Sequence, residues 1–118
     1  MHIFLIRHGE SMANAGENYV KRTPDHLVSL TENGKQQALE AGQWLRDYCD
    51  TNGVDLSKAR IWRSPFLRTR QTSEEFNKSL GINDIREDIT LTEQQFGLFD
   101  SIPETEWEFT TLRVATVP

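Results

Sequence analysis

The sequence predicts an α/β domain of three layers, with helices packed on a mainly parallel sheet. Three observations carry that expectation. An apolar run, "IFLI" at positions 3 to 6, stops abruptly at Arg-His-Gly, the pattern of a strand buried on both faces. Two helical patterns with recognisable ends follow it. Each leads into a short strand-like segment, so the order reads strand, helix, strand, helix, strand.

The first helix is expected from Thr31 to about Asn52. Ala38, Ala41, Leu45 and Tyr48 recur at helical spacing, Thr31 suits the N-cap, Glu32 sits beside the positive dipole end, and Gly53 is the stop. The second strand is "ARIWRS" at 59 to 64. "SPFLRTRQTSEEFNKSLG" then reads as a complete helix, with Ser64 at the N-cap, Pro65 in the first helical position and Gly81 just past the end. "DIREDITL" at 84 to 91 is the third strand, its alternation broken by charge. From Gly97 onward, and above all over 109 to 118, the sequence offers strand-like composition with no helix to pair it with, and this tail is left unplaced.

Composition narrows the function classes. The chain has 118 residues, enough for one domain with one active site. With 36% hydrophobic and 26% charged residues it belongs to the ordinary globular class. A net charge of −5 with no basic block argues against binding nucleic acid through its phosphates. The longest apolar stretch near the start is too short for a signal peptide or a membrane span. The one cysteine, Cys49, rules out an intrachain disulfide and a cysteine-rich metal site, and suits a cytoplasmic protein. Cys49 reads as a core residue at the end of its helix.

The chemistry is expected where strands end. In a parallel sheet the carboxyl ends of the strands share one edge, so Arg7 and His8 after the first strand converge there with Arg68 after the second. Arg68 lies in the first turn of its helix, where unpaired N–H groups and the dipole already favour an anion. Two arginines could neutralise a phosphoryl dianion and follow its charge into the transition state. Arg70, two residues on, is expected to face elsewhere as a solvated or ion-paired side chain. A rival nucleophile is Ser11 in "GESMA", which has the form of a strand-to-helix elbow. It lacks the later acid and histidine that such a triad needs.

"LIRHGES" with Asn14, "LTENGKQQA", "SPFLRTRQT" and "LTEQQFG", in that order, resemble the histidine phosphatase superfamily, also called phosphoglycerate mutase-like. The resemblance implies that His8 is the nucleophile of a phosphohistidine pathway, that Arg7, Asn14 and Arg68 bind the phosphoryl oxygens, and that Glu93 protonates the leaving oxygen. It implies a phosphorylated small molecule or phosphate as ligand, and neither metal nor organic cofactor. "TEQQFGLFD" is closer to the family's broad phosphatases than to its glycolytic mutases, so hydrolysis is expected before phosphotransfer.

The family's second pocket histidine has no counterpart, since no histidine follows His26. The resemblance therefore implies a single domain over 1–118 that is incomplete at its C-terminus. A catalytically impaired phosphate-binding module is the alternative, and a second copy of the chain is a candidate partner. The enzyme reading needs His8 neutral when it attacks and Glu93 protonated when the alcohol leaves. The free-solution order of imidazole and carboxylic acid suits neither requirement at neutral pH. The expected rate profile is a bell with its optimum on the mildly acidic side. A hydrolysis rate that is flat from about pH 5 to about pH 8 would contradict this pairing.

Overall fold

The computed structural model describes residues 1–16 and 23–92. Two helices and a two-stranded parallel sheet make up its regular structure: α1 (Glu32–Asn52), β1 (Arg60–Arg63), α2 (Leu67–Asn77) and β2 (Asp84–Glu87). Short 3₁₀ turns cover Asp25–Leu27 and Ile89–Leu91.

α1 begins and ends where local chemistry directs. The Thr31 side chain accepts the Gly34 N–H at the N-cap, and Gly53 closes the helix at φ 67 with its N–H on the Cys49 carbonyl. The buried positions Gly34, Ala38, Gly42, Leu45 and Cys49 form one helical stripe. Tyr48, expected on that stripe, lies at its margin and is exposed; it stacks on Trp44 and meets the edge of Phe4.

The stripe packs on α2 at close range. A Cβ at Gly42 would run into the Phe76 carbonyl oxygen, so the two helices approach backbone to backbone only because residue 42 has no side chain. Leu45, Cys49, Phe76, Leu80 and Ile82 form the core beside this crossing, with Ala41, Val54, Leu56, Ala59 and Ile61 packed against it. Cys49 is thus the helix-end core residue that its sequence position suggests.

β1 and β2 pair in parallel with Ile61 opposite Ile85 and Trp62 opposite Arg86, as the helical crossover between them requires. Asn77 joins the end of α2 to the approach to β2: its amide donates to the Ile82 carbonyl and its oxygen accepts the Ile82 N–H, each at 2.7 Å. Gly81 turns the chain between them at φ 67.

Four boundaries differ from the sequence expectation, among them the end of the second helix, which stops at Asn77, short of Gly81. Residues 3–6 join neither ladder and form no strand; Phe4 leans on α1 while Ile3 and Leu5 face outward. The run expected to be buried on both faces is exposed at all four residues, because a strand exists only through a partner's hydrogen bonds. The second helix starts at Leu67 with Phe66 as N-cap, two residues later than Ser64 and Pro65 implied, because Phe66 stays extended at φ −64, ψ 142. Ser64 still serves that end, sharing a 2.7 Å hydroxyl contact with Thr69. The third strand stops at Glu87, and Asp88 caps the 3₁₀ turn by accepting the Thr90 N–H. The segment from Gly97 onward, including 109–118, lies outside the described residues.

Charged pairs stitch the sheet to α2. Arg70 donates to both oxygens of Glu87, at 2.6 and 2.9 Å, and Arg63 adds a longer bond at 3.3 Å. Arg70 is therefore ion-paired, as expected. The Arg70 bond, reinforced by its charge and that of Arg63, holds the Glu87 carboxyl below the usual range; bonds from Arg60 and Arg86 do the same for Asp84. A carboxylate whose folded pKa is depressed contributes stability above its unfolded pKa, about 4, and loses it as the pH falls through the folded value. Melting temperature should fall as the pH is lowered from about 5 to about 3, and fall less steeply in Glu87→Gln. Equal slopes in the two proteins would contradict that assignment.

Candidate functional site

The segment carrying Arg7, His8 and Asn14 is wired to both helices by its backbone. The Gly9 N–H donates to Thr72 Oγ1 at 3.1 Å, and that hydroxyl donates to the Arg68 carbonyl one turn earlier at 2.7 Å. The Glu10 N–H donates to Gln37 Oε1 on α1 at 2.8 Å. The Glu10 carbonyl accepts the Thr31 N–H at 2.9 Å, and Met12 N–H reaches the Ser29 carbonyl at 2.9 Å. Between these two bonds Ser11 and Leu30 form an isolated antiparallel bridge, while the Leu30 N–H donates to Gln71 Oε1 at 2.7 Å.

The approach is close enough to exclude side chains. A Cβ on Gly9 would overlap the Gly34 carbonyl, and one on Gly34 would overlap the Glu10 carbonyl. Glycines at 9 and 34 therefore let the segment lie directly on the first turn of α1. The Thr31 hydroxyl completes the joint, donating to Glu10 Oε1 at 2.7 Å while accepting the Gly34 N–H.

This anchoring sets the chemistry of His8. Its Nδ1 lies 2.7 Å from the Gly9 carbonyl oxygen, which can only accept, so Nδ1 carries a hydrogen and, in the neutral ring, the lone pair is on Nε2. The ring is half-buried beside a rigid backbone. A neutral imidazole held this way is oriented by one nitrogen and presents the lone pair of the other, the arrangement a nucleophile needs.

Asn14 closes the turn. Its Oδ1 accepts both the Ser11 N–H and the Ser11 hydroxyl at 3.0 Å, while Ser11 Oγ accepts the Asn14 N–H at 3.2 Å. The oxygen is occupied, which leaves the amide N–H₂ of this exposed side chain as its donor to a ligand. Ser11, 2% exposed and bonded inward, is a structural residue of the turn, and the elbow reading of "GESMA" has no geometry behind it. Arg7 is exposed and has no ion-pair partner among the described residues.

Arg68 sits in the first turn of α2 and is buried. Its guanidinium lies 4.9 Å from the centre of the Phe66 ring, and NH1 donates to the Asp25 carbonyl at 2.8 Å and to Asp25 Oδ1 at 3.0 Å. NH2 lies 3.4 Å from Oδ2. The hydrogen bonds of Arg68 thus run to Asp25 and none to His8; the two are coupled through Thr72 and the backbone of Gly9. Glu93 lies outside the described residues. Among the described residues no group of three or more His, Cys, Asp and Glu is placed to hold a metal, and no helix is long and apolar enough to cross a membrane.

Four contributors escaped the sequence reading: Asp25, Gln37, Gln71 and Thr72. Gln71 and Thr72 lie three and four residues after Arg68, and Gln37 three after Gly34, so each shares a helix face with a residue already singled out. That spacing was the available signal. A groove of about 640 Å³ between Arg46, Leu56 and Asp84 lies at the opposite, amino ends of the strands and includes none of the expected site residues.

Comparison with known proteins bears on the family. The sequence model of the histidine phosphatase superfamily (branch 1) matches residues 3–112. The phosphoglycerate mutase-like protein AT74H of Arabidopsis thaliana is 38% identical over 105 residues, covering 82% of this chain and 37% of its own. The phosphohistidine phosphatase SixA homolog of Haemophilus influenzae is 34% identical over 84 residues, covering 70% of this chain and 45% of its own. The structure described as SixA from Nakamurella multipartitia superposes with a TM-score of 0.55 at 27% identity, over 97% of this chain and 50% of that one. The chain thus spans half or less of the length of these relatives.

Gly9→Ala should destabilise the protein by about 1–3 kcal/mol in denaturant unfolding, because the added Cβ meets backbone that cannot step aside. A stability equal to wild type would show that the segment does not rest on α1 as described.

Proposed function

Because the chain belongs to the histidine phosphatase superfamily, with nearly its whole length matched, we propose that it hydrolyses phosphomonoesters through a phosphohistidine formed on His8. The observation that carries this reading is the His8 Nδ1 bond to the Gly9 carbonyl, which leaves Nε2 as the nucleophilic nitrogen. In the first step Nε2 attacks phosphorus, the phosphorus–oxygen ester bond breaks, and the departing alkoxide takes a proton from an acid, the role given to Glu93. In the second step water attacks the phosphohistidine, its proton passes to the carboxylate, and phosphate leaves with His8 regenerated. Each half is easier than direct displacement by water.

Positive charge for the transferring group comes from Arg7 and Arg68, with the amide of Asn14 and the amino end of α2 adding donors. The reading invokes no metal or organic cofactor. Hydrolysis is preferred to phosphotransfer because a SixA phosphatase structure matches 97% of the chain, alongside the phosphatase-like "TEQQFGLFD" segment.

A second reading is a module that binds phosphate and turns nothing over. It is favoured by the present engagement of Arg68 with Asp25. The two readings separate on turnover. Hydrolysis of a generic aryl phosphate by the full chain should fall by on the order of 10³-fold or more in His8→Ala. Turnover that survives the substitution contradicts the covalent mechanism; a folded wild type that binds phosphate without turnover supports the second reading.

A further inference from the structure

The partner of Arg68 points to a residue that sets how tightly the site takes its ligand. Asp25 meets the guanidinium end-on, with one carboxylate oxygen facing each terminal nitrogen. A phosphoryl group would use the same two-pronged approach. The two members of the pair are unequally held. The Arg68 side chain is 7% exposed and is fixed by Phe66 and the Asp25 carbonyl, whereas the Asp25 side chain is 41% exposed. The arginine has nowhere to go, and the carboxylate can turn into water and regain its hydration.

We propose that Asp25 is an internal anion that occupies the Arg68 fork when no ligand is bound and competes with phosphate for it. This rests on the reading of Arg68 as a phosphoryl ligand. Asp25 keeps a buried guanidinium paired in the empty site, where an unpaired charge would be costly. The same contact lowers apparent phosphate affinity, because each binding event must first break it. Asp25 is thus a residue that tunes ligand affinity through Arg68 and takes no part in bond making.

The test is titration of inorganic phosphate against the full chain, wild type, Asp25→Asn, Asp25→Ser and Arg68→Ala, each checked for folding by circular dichroism. Loss of the competing charge should tighten phosphate binding several-fold to about tenfold in Asp25→Asn, the difference between a charge-assisted and a neutral bond. Asp25→Ser should change affinity in the same direction, and serves if the asparagine variant fails to fold. Binding that is equal or weaker in a folded Asp25 variant overturns the competition, since a merely supportive aspartate would be missed. Phosphate binding that persists in Arg68→Ala, or is undetectable in wild type and Asp25 variants alike, overturns the reading of Arg68 itself and the competition with it.

Discussion

Where residues 9 and 10 cross the first turn of α1, backbone touches backbone, and this contact positions everything that follows from it. Gly9 and Gly34 have no Cβ to separate the two segments. At that distance the buried amide of Gly9 must be satisfied within the protein, since an unpaired buried amide costs about 1–3 kcal/mol, and the more exposed amide of Glu10 is paired beside it. They are satisfied by side chains reaching out from the helices, Thr72 from α2 and Gln37 from α1. The arrangement holds the segment clamped at consecutive residues, with the His8 imidazole oriented by the carbonyl of the clamped glycine.

The clamp in turn depends on the relation of the two helices. Thr72 and Gln37 can meet adjacent amides only if α1 and α2 keep a fixed separation. That separation is fixed in part at Gly42, whose missing Cβ admits the Phe76 carbonyl, and in part by the core around Leu45, Cys49 and Phe76. Packing remote from His8 therefore reaches it through rigid elements. Arg68 belongs to the same unit, because the hydroxyl that receives the Gly9 amide also bonds to the Arg68 carbonyl.

Much of this was legible in the sequence wherever the cause is local. Thr31 and Gly53 mark the ends of α1 because a cap and a left-handed turn involve residues only a few positions apart. The order of strand and helix around "ARIWRS" and "SPFLRTRQT" follows from the same kind of signal. The expected strand at 3–6 fails for the opposite reason: its apolar run is real, but ladder bonds come from distant residues. Arg68 reads as a candidate anion ligand from its place in a helix, whereas its partner Asp25 lies 43 residues away in sequence and carries no local mark. Gln37 and Gln71 read as surface polar residues until the amides they serve come into view.

The central claim is that the His8 segment is held by the helices as tightly as they hold each other. Native-state hydrogen exchange on the full chain tests it at single amides. The account predicts that Gly9, Glu10 and Leu30 exchange only through the large-scale openings that also expose the α1–α2 core, with protection comparable to that of Leu45 and Phe76. Exchange of Gly9 and Glu10 at the rate of a free loop, while the core amides stay protected, would contradict it.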